Sequence, residues 1–79
     1  MFKFSHHCFE QLKKRGLTEQ IIIRVVNNPS EKIVENGIAI YQNSIEENSK
    51  TYLLRVFVNE NKIPPLIITA YKTSKLKKY

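Results

Sequence analysis

Few residues in this chain are suited to moving protons or holding phosphate. They are the adjacent pair His6 and His7, an arginine inside an apolar run (Arg55), and a tyrosine followed by a lysine (Tyr71, Lys72). Imidazole exchanges protons near neutral pH, so a histidine here is a candidate general acid or base. The competing reading is a solvated helix surface. Neighbours on a helix point about 100° apart, so the two rings are badly placed to share one ion. His6 and Glu10 have the i, i+4 spacing of a ligand pair, but no third ligand is evident, and a metal site needs three or four. Arg55 interrupts the strand-like run between Leu54 and Val56. Its guanidinium fork can grip a phosphate and stabilise charge developing on it, or it can lie over Phe57 or pair with a glutamate. Tyr71 is either a half-buried aromatic or a platform on which a base stacks. Cys8 falls in an apolar stripe, where thiols are usually inert. There is no Gly-rich phosphate loop and no paired-carboxylate motif.

The elements that must position these groups follow from periodicity. Ser5 is a good N-cap and Gly16 a good stop after Arg15. Between them Cys8, Phe9 and Leu12 form one helical stripe, with His7 away from it in line with Gln11 and Lys14. Thr18 caps a second helix whose buried side is Ile21, Ile22, Val25 and Val26, and Asn28-Pro29 ends it. The period then becomes extended. Ile33 to Glu35, the Asn36-Gly37 pair and Ile38 to Tyr41 read as a hairpin with a type I′ turn. A polar loop is expected from about Asn43 to Lys50, then a long strand from Thr51 to Asn59, a Pro64-Pro65 loop and a last strand from Leu66 to Lys72. This order, ααββββ, predicts an α+β domain with two N-terminal helices on one face of a four-stranded antiparallel sheet. Aligning the apolar rows pairs Val58 with Leu66, Val56 with Ile68 and Leu54 with Ala70. It puts Arg55 beside Thr69 with Tyr71 one pair along, on the face without helices. Leu53, Phe57 and Ile67 are expected exposed there, a surface that suits a protein partner as well as RNA.

Composition bounds the partners. A chain of 79 residues is read as one domain, 1-79. One cysteine excludes an intramolecular disulfide and suits a reducing compartment. No signal peptide or membrane span is legible, so a soluble, cytoplasmic protein is expected. Thirteen Lys and Arg against seven Asp and Glu give a net charge of +6, which favours a polyanionic partner, although solubility alone explains a positive charge too. Lys13, Lys14 and Arg15 form one basic cluster; Lys72, Lys75, Lys77 and Lys78 form another.

Three stretches carry a resemblance. "FKFSHHCFEQLKKRGLT", "YLLRVFVNE" and "LIITAYKTSKLKKY" resemble, in order and spacing, a family of small prokaryotic proteins similar to the BrnT and RelE toxins, within the barnase, EndoU, colicin and RelE superfamily. The resemblance covers nearly the whole chain. It implies a RelE-like fold and a metal-independent ribonuclease without cofactor, often the toxin paired with a cognate antitoxin protein. By position the family's helix histidine is His7, its arginine before glycine Arg15, its strand arginine Arg55, and its terminal motif Thr69, Tyr71 and Lys72. Cys8 stands where alanine is usual and Gln11 where arginine is common. The expectation is therefore an RNA-cleaving toxin in which His7 is the acid or base, Arg55 clamps the phosphate and Tyr71 positions or stacks a base. Lys13, Lys14, Arg15, Thr69, Lys72, Lys75, Lys77 and Lys78 would contact the RNA. The alternative is a non-catalytic module binding nucleic acid or protein. A shared site requires the first helix to bring His7 to the rim of the Arg55 face.

Overall fold

The structure, a computed structural model, describes residues 2–74. Both helices start and stop where local chemistry dictates. The Ser5 hydroxyl accepts from the Cys8 amide at 3.0 Å and opens α1 (His6–Arg15); Gly16, left-handed at φ 65°, closes it. The Thr18 hydroxyl accepts from the Ile21 amide at 3.2 Å and opens α2 (Glu19–Asn27). Ahead of them lies β1 (Lys3–Phe4), and after them come β2 (Glu31–Glu35), β3 (Ile38–Glu47), β4 (Lys50–Asn59) and β5 (Leu66–Thr73). The expected hairpin turn is present. Asn36 and Gly37 both have positive φ, and a Cβ at Gly37 would come within 2.4 Å of the Asn61 side chain.

The expected four-stranded antiparallel sheet is corrected to a five-stranded mixed sheet, ordered β1-β5-β4-β3-β2. The additional strand, β1, precedes the helices and pairs parallel to β5, Lys3 with Leu66 and Phe4 with Ile67. Two residues are too few to show a period, so nothing in the pattern announced it. The expected loop from Asn43 to Lys50 is corrected as well. β3 continues to Glu47 and a two-residue turn, Asn48-Ser49, with both residues at positive φ, leads into β4. Ile45, only 3% exposed, is the inward residue that keeps this polar stretch in the sheet.

A third correction concerns register. The β4–β5 pairing is interrupted by a bulge between Phe57 and Val58, so Val58 pairs with Ile67 and Phe57 with Thr69. Ile68 is the extra residue. Val56 therefore faces Ala70, and Arg55 lies directly opposite Tyr71 rather than Thr69. The slip turns Ile67 into the core, where it is fully buried, instead of onto the exposed face. β1 helps fix this start of β5, since the Lys3 amide donates to the Pro65 carbonyl and the Ser5 amide to that of Ile67, each at 2.9 Å.

The core is one cluster on one side of the sheet. Cys8 and Leu12 of α1 and Ile22, Val25 and Val26 of α2 pack with Ala39, Tyr41, Leu54, Val56, Val58, Ile67 and Ala70. α1 packs against β5, and α2 against β3 and β4. Beyond its short pairing with β1, the edge of β5 is capped by side chains of the helical layer. The Ser5 hydroxyl donates to the Ile68 carbonyl at 2.9 Å, and the Arg15 guanidinium to that of Ala70 at 2.7 Å. Among the described residues no helix is long and apolar enough to cross a membrane.

Candidate functional site

Alternation along the strands sends every second side chain to the sheet's other face, which neither helix covers. There the pairing lines up one residue from each of four strands: Glu31 with Gln42, Gln42 with Arg55, and Arg55 with Tyr71. The four side chains join into a single chain of hydrogen bonds. The Gln42 amide nitrogen donates to the Glu31 carboxylate at 2.8 Å, and its oxygen accepts from Arg55 Nε at 3.0 Å. Arg55 Nη1 donates to the Tyr71 phenol oxygen at 2.9 Å. The guanidinium carbon lies 5.7 Å from the centre of the Phe57 ring and 6.0 Å from that of Tyr71. The two rings are themselves 6.0 Å apart and tilted by 31°. The expected packing of Arg55 against Phe57 is present, and in place of a glutamate its polar partners are Gln42 and Tyr71.

A second row, Ile33, Ile40, Phe57 and Thr69, runs beside the first on the same face. Its three apolar members are half-buried although no helix lies over them. The face thus offers a carboxylate, an amide, a guanidinium and a phenol in line, flanked by an apolar shelf. A carboxylate takes protons, a guanidinium holds and neutralises oxyanions, and a phenol donates a proton or stacks.

Of the expected catalytic residues, the structure brings Arg55 and Tyr71 together and leaves His7 in the other layer. His7 is exposed on α1, whose buried stripe packs on the side of Val56 and Ala70, while Arg55 belongs to the opposite side. His6 is also exposed and sits 3.1 Å from Glu10, one turn along. Among the described residues no group of three or more His, Cys, Asp or Glu is placed to share an ion. Cys8 is fully buried, and burial pushes its thiol up from the usual value.

The expected RNA contacts scatter. Lys13 and Lys14 are exposed on α1, as is Arg15, which donates one guanidinium N–H to the Ala70 carbonyl. Thr69 lies on the helix-free face, opposite Phe57. Lys72 points to the helix side, where it pairs with Glu47 and lies 5.1 Å from the centre of the Tyr52 ring. Lys75, Lys77 and Lys78 lie outside the described residues.

Sequence reasoning missed Glu31 and Gln42. The signal was available, because the Asn36-Gly37 turn sets the β2–β3 register, and counting outward from it pairs Glu31 with Gln42. A separate polar cluster joins Tyr41, Glu60 and Lys32 at the start of the β4–β5 connection, the Tyr41 hydroxyl donating to Glu60 at 2.5 Å and Lys32 lying 3.2 Å from the same carboxylate. Comparison with protein-family models, with curated proteins and with solved structures gave no match to this chain, and nothing in them links it to the BrnT and RelE toxins.

Proposed function

We propose that this protein binds RNA on the helix-free face of its sheet and cleaves it through the ribose 2′-hydroxyl, acting in the cytoplasm as the toxin of a toxin–antitoxin pair. The observation that carries the reading is the Arg55–Tyr71 contact at 2.9 Å on a face that no helix covers. Cleavage of this kind has three needs. A base takes the 2′-hydroxyl proton, a cation steadies the pentacoordinate phosphate, and an acid protonates the departing 5′-oxygen. In this row Arg55 is the cation. Tyr71 accepts from Arg55, and a phenol beside a guanidinium is a group that can donate a proton to a leaving oxygen. Glu31 supplies a carboxylate on this face and takes the part of base, one of the two roles, acid or base, expected of His7. The Phe57 and Tyr71 rings give an unstacked base an aromatic surface, as single-stranded RNA requires.

The charge pattern favours a second reading, a non-catalytic protein-binding module. Glu31, Glu35 and Glu46 all share this face with Arg55, and the lysines of α1 do not. Phosphate backbones bind best to concentrated positive charge. One experiment separates the two. Purified protein is incubated with single-stranded RNA in EDTA, beside the Arg55→Ala variant, and products are resolved by length. Cleavage that leaves 2′,3′-cyclic phosphate ends and disappears in Arg55→Ala supports the nuclease. Intact RNA at every protein concentration, without salt-sensitive binding, sinks it and leaves the protein-binding module. Growth arrest on expression without a partner protein is the expected cellular counterpart.

A further inference from the structure

Gln42 is the only polar or charged side chain in the buried class among the described residues, at 4% exposure, and it sits in the middle of the candidate site. Burying an amide is costly unless both of its ends are bonded. Both ends of Gln42 are bonded, and to charged partners: the carboxylate of Glu31 on β2 and the guanidinium of Arg55 on β4. An ionised carboxylate only accepts and a guanidinium only donates, so one orientation of the amide satisfies the pair and the flipped one satisfies neither. The side chain is therefore fixed in position by burial and in direction by charge. Arg55 is held between two strands, Nε by Gln42 of β3 and Nη1 by Tyr71 of β5, so the plane of its fork is set from both sides.

We propose that Gln42 is the positioning residue of this site: it orients the Arg55 guanidinium and holds the Glu31 carboxylate at a fixed reach from it. The inference rests on the reading of this face as an RNA-cleaving site and adds the element that spaces its base from its phosphate clamp. Gln42 touches neither the scissile phosphate nor the 2′-hydroxyl in this scheme. Its effect passes through its two neighbours. Small misplacements of such groups lower the rate steeply even when binding survives.

The test uses two variants with opposite consequences. In Gln42→Leu the amide is gone, and neither Arg55 Nε nor Glu31 has its partner. In Gln42→Glu a carboxylate oxygen still accepts from Arg55 Nε, but it faces the Glu31 carboxylate and cannot donate to it while ionised. The charged or titratable groups on this face around position 42 are Glu31 and Glu35 of β2, Glu46 along β3, Arg55 of β4 and Tyr71 of β5. Two facing carboxylates resist ionising together, so the acid limb of a rate profile moves to higher pH.

The first readout is the Arg55 Nε–H signal and its exchange with water, followed by nitrogen-resolved NMR. The second is cleavage of a short single-stranded RNA at saturation across pH, with affinity taken separately on the same oligonucleotide made with 2′-deoxyribose. Gln42→Leu is expected to lose the protected Arg55 signal and to cleave about tenfold or more slowly while binding the deoxy strand nearly as well. Gln42→Glu should keep the signal and shift the acid limb upward. An Arg55 signal that Gln42→Leu leaves unchanged, or a Gln42→Glu profile that overlays the wild type, overturns the positioning role while wild-type cleavage keeps the RNA reading intact. A wild type that neither binds nor cleaves RNA overturns the RNA reading instead. In that case loss of the Arg55 signal in Gln42→Leu still supports the hold of Gln42 on the guanidinium.

Discussion

Leu54 and Arg55 are neighbours in β4, yet they belong to two different regions of the molecule. Leu54 is fully buried beneath the helical layer, in a cluster with Val56, Val58, Ile67 and Ala70. Arg55 stands on the bare face, bonded to Gln42 and Tyr71. The covered face holds the fold together by excluding water from aliphatic side chains. The bare face carries polar groups in one row and a half-buried apolar row beside it. One strand serves both because its side chains alternate, so stability and chemistry can be changed separately at adjacent positions. The difference teaches where to look for function in a small domain: on the side that the packing does not consume.

The largest effect should come from the covered side. Leu54→Ala is expected to cost about 2–5 kcal/mol, since it opens a cavity where nothing can collapse easily. For a chain of this size that is much of the total stability. Urea denaturation measures it, and a loss below about 1 kcal/mol would show that the core is not closed over β4. Arg55→Ala, one residue away, is the contrasting change. It should cost less stability than Leu54→Ala, about 1–3 kcal/mol for the buried Gln42 oxygen left without its partner, and abolish at least about 99% of RNA cleavage, equivalent to about 2.7 kcal/mol of transition-state stabilisation. If Arg55→Ala unfolds the protein while activity per folded molecule persists, the division between the two faces is wrong.

The next effect tests how the helical layer is joined to the sheet. Ser5 both caps α1 and donates to the Ile68 carbonyl at the bulge. Ser5→Ala should cost about 1–2 kcal/mol, the upper end reflecting two lost hydrogen bonds rather than one. Hydrogen exchange at the start of α1 should quicken with it, and an unchanged rate there would mean that β1 alone anchors the helix.

A smaller effect is expected from acid. The Tyr41 hydroxyl, and after it the Lys32 ammonium, hold the Glu60 carboxyl below its ordinary value of 4.5. A carboxyl depressed in the folded state adds stability above its unfolded pKa and loses it as pH falls through the folded one. Thermal unfolding of wild type and Glu60→Gln should therefore differ near neutrality and converge as pH drops from about the ordinary carboxylate range downward. The difference should be modest because Lys32 and Glu60 are substantially exposed. Parallel curves at every pH would remove Glu60 from the account.

Much of this architecture was legible because it rests on local chemistry. Ser5, Thr18 and Gly16 announce the helix ends, Asn36-Gly37 announces the first hairpin, and the alternation around Arg55 assigns it to the face without helices. What escaped has a physical reason in each case. Lys3–Phe4 is a strand only because β5 offers it a partner. Asn43 to Glu47 looks like a loop because its inward position is carried by Ile45 among polar residues. The bulge at Ile68 depends on contacts from Ser5, which lies 63 residues away. Glu31 and Gln42 escaped differently. They lie in ordinary polar positions, and only two registers combined, one from Asn36-Gly37 and one from Asn48-Ser49, bring them into line with Arg55.

His7 gives the smallest expected effect and the sharpest check on the contrast between faces. The sequence motif singles it out as acid or base, whereas the fold exposes it on a helix whose buried stripe packs on the far side of the sheet from the Arg55 row. If the bare face is where RNA reacts, His7→Ala should cleave within about twofold of wild type, less than about 0.5 kcal/mol. Its rate profile should keep the same limbs, because in that reading His7 takes no part in the proton transfers. Glu31→Gln, compared in the same assay, should instead flatten the acid limb. The opposite pattern, a His7→Ala variant as inactive as Arg55→Ala with Glu31→Gln unaffected, would move the chemistry to the helical side. There Lys13 and Lys14 would become the phosphate contacts, and the row through Gln42 would be left with a purely structural part.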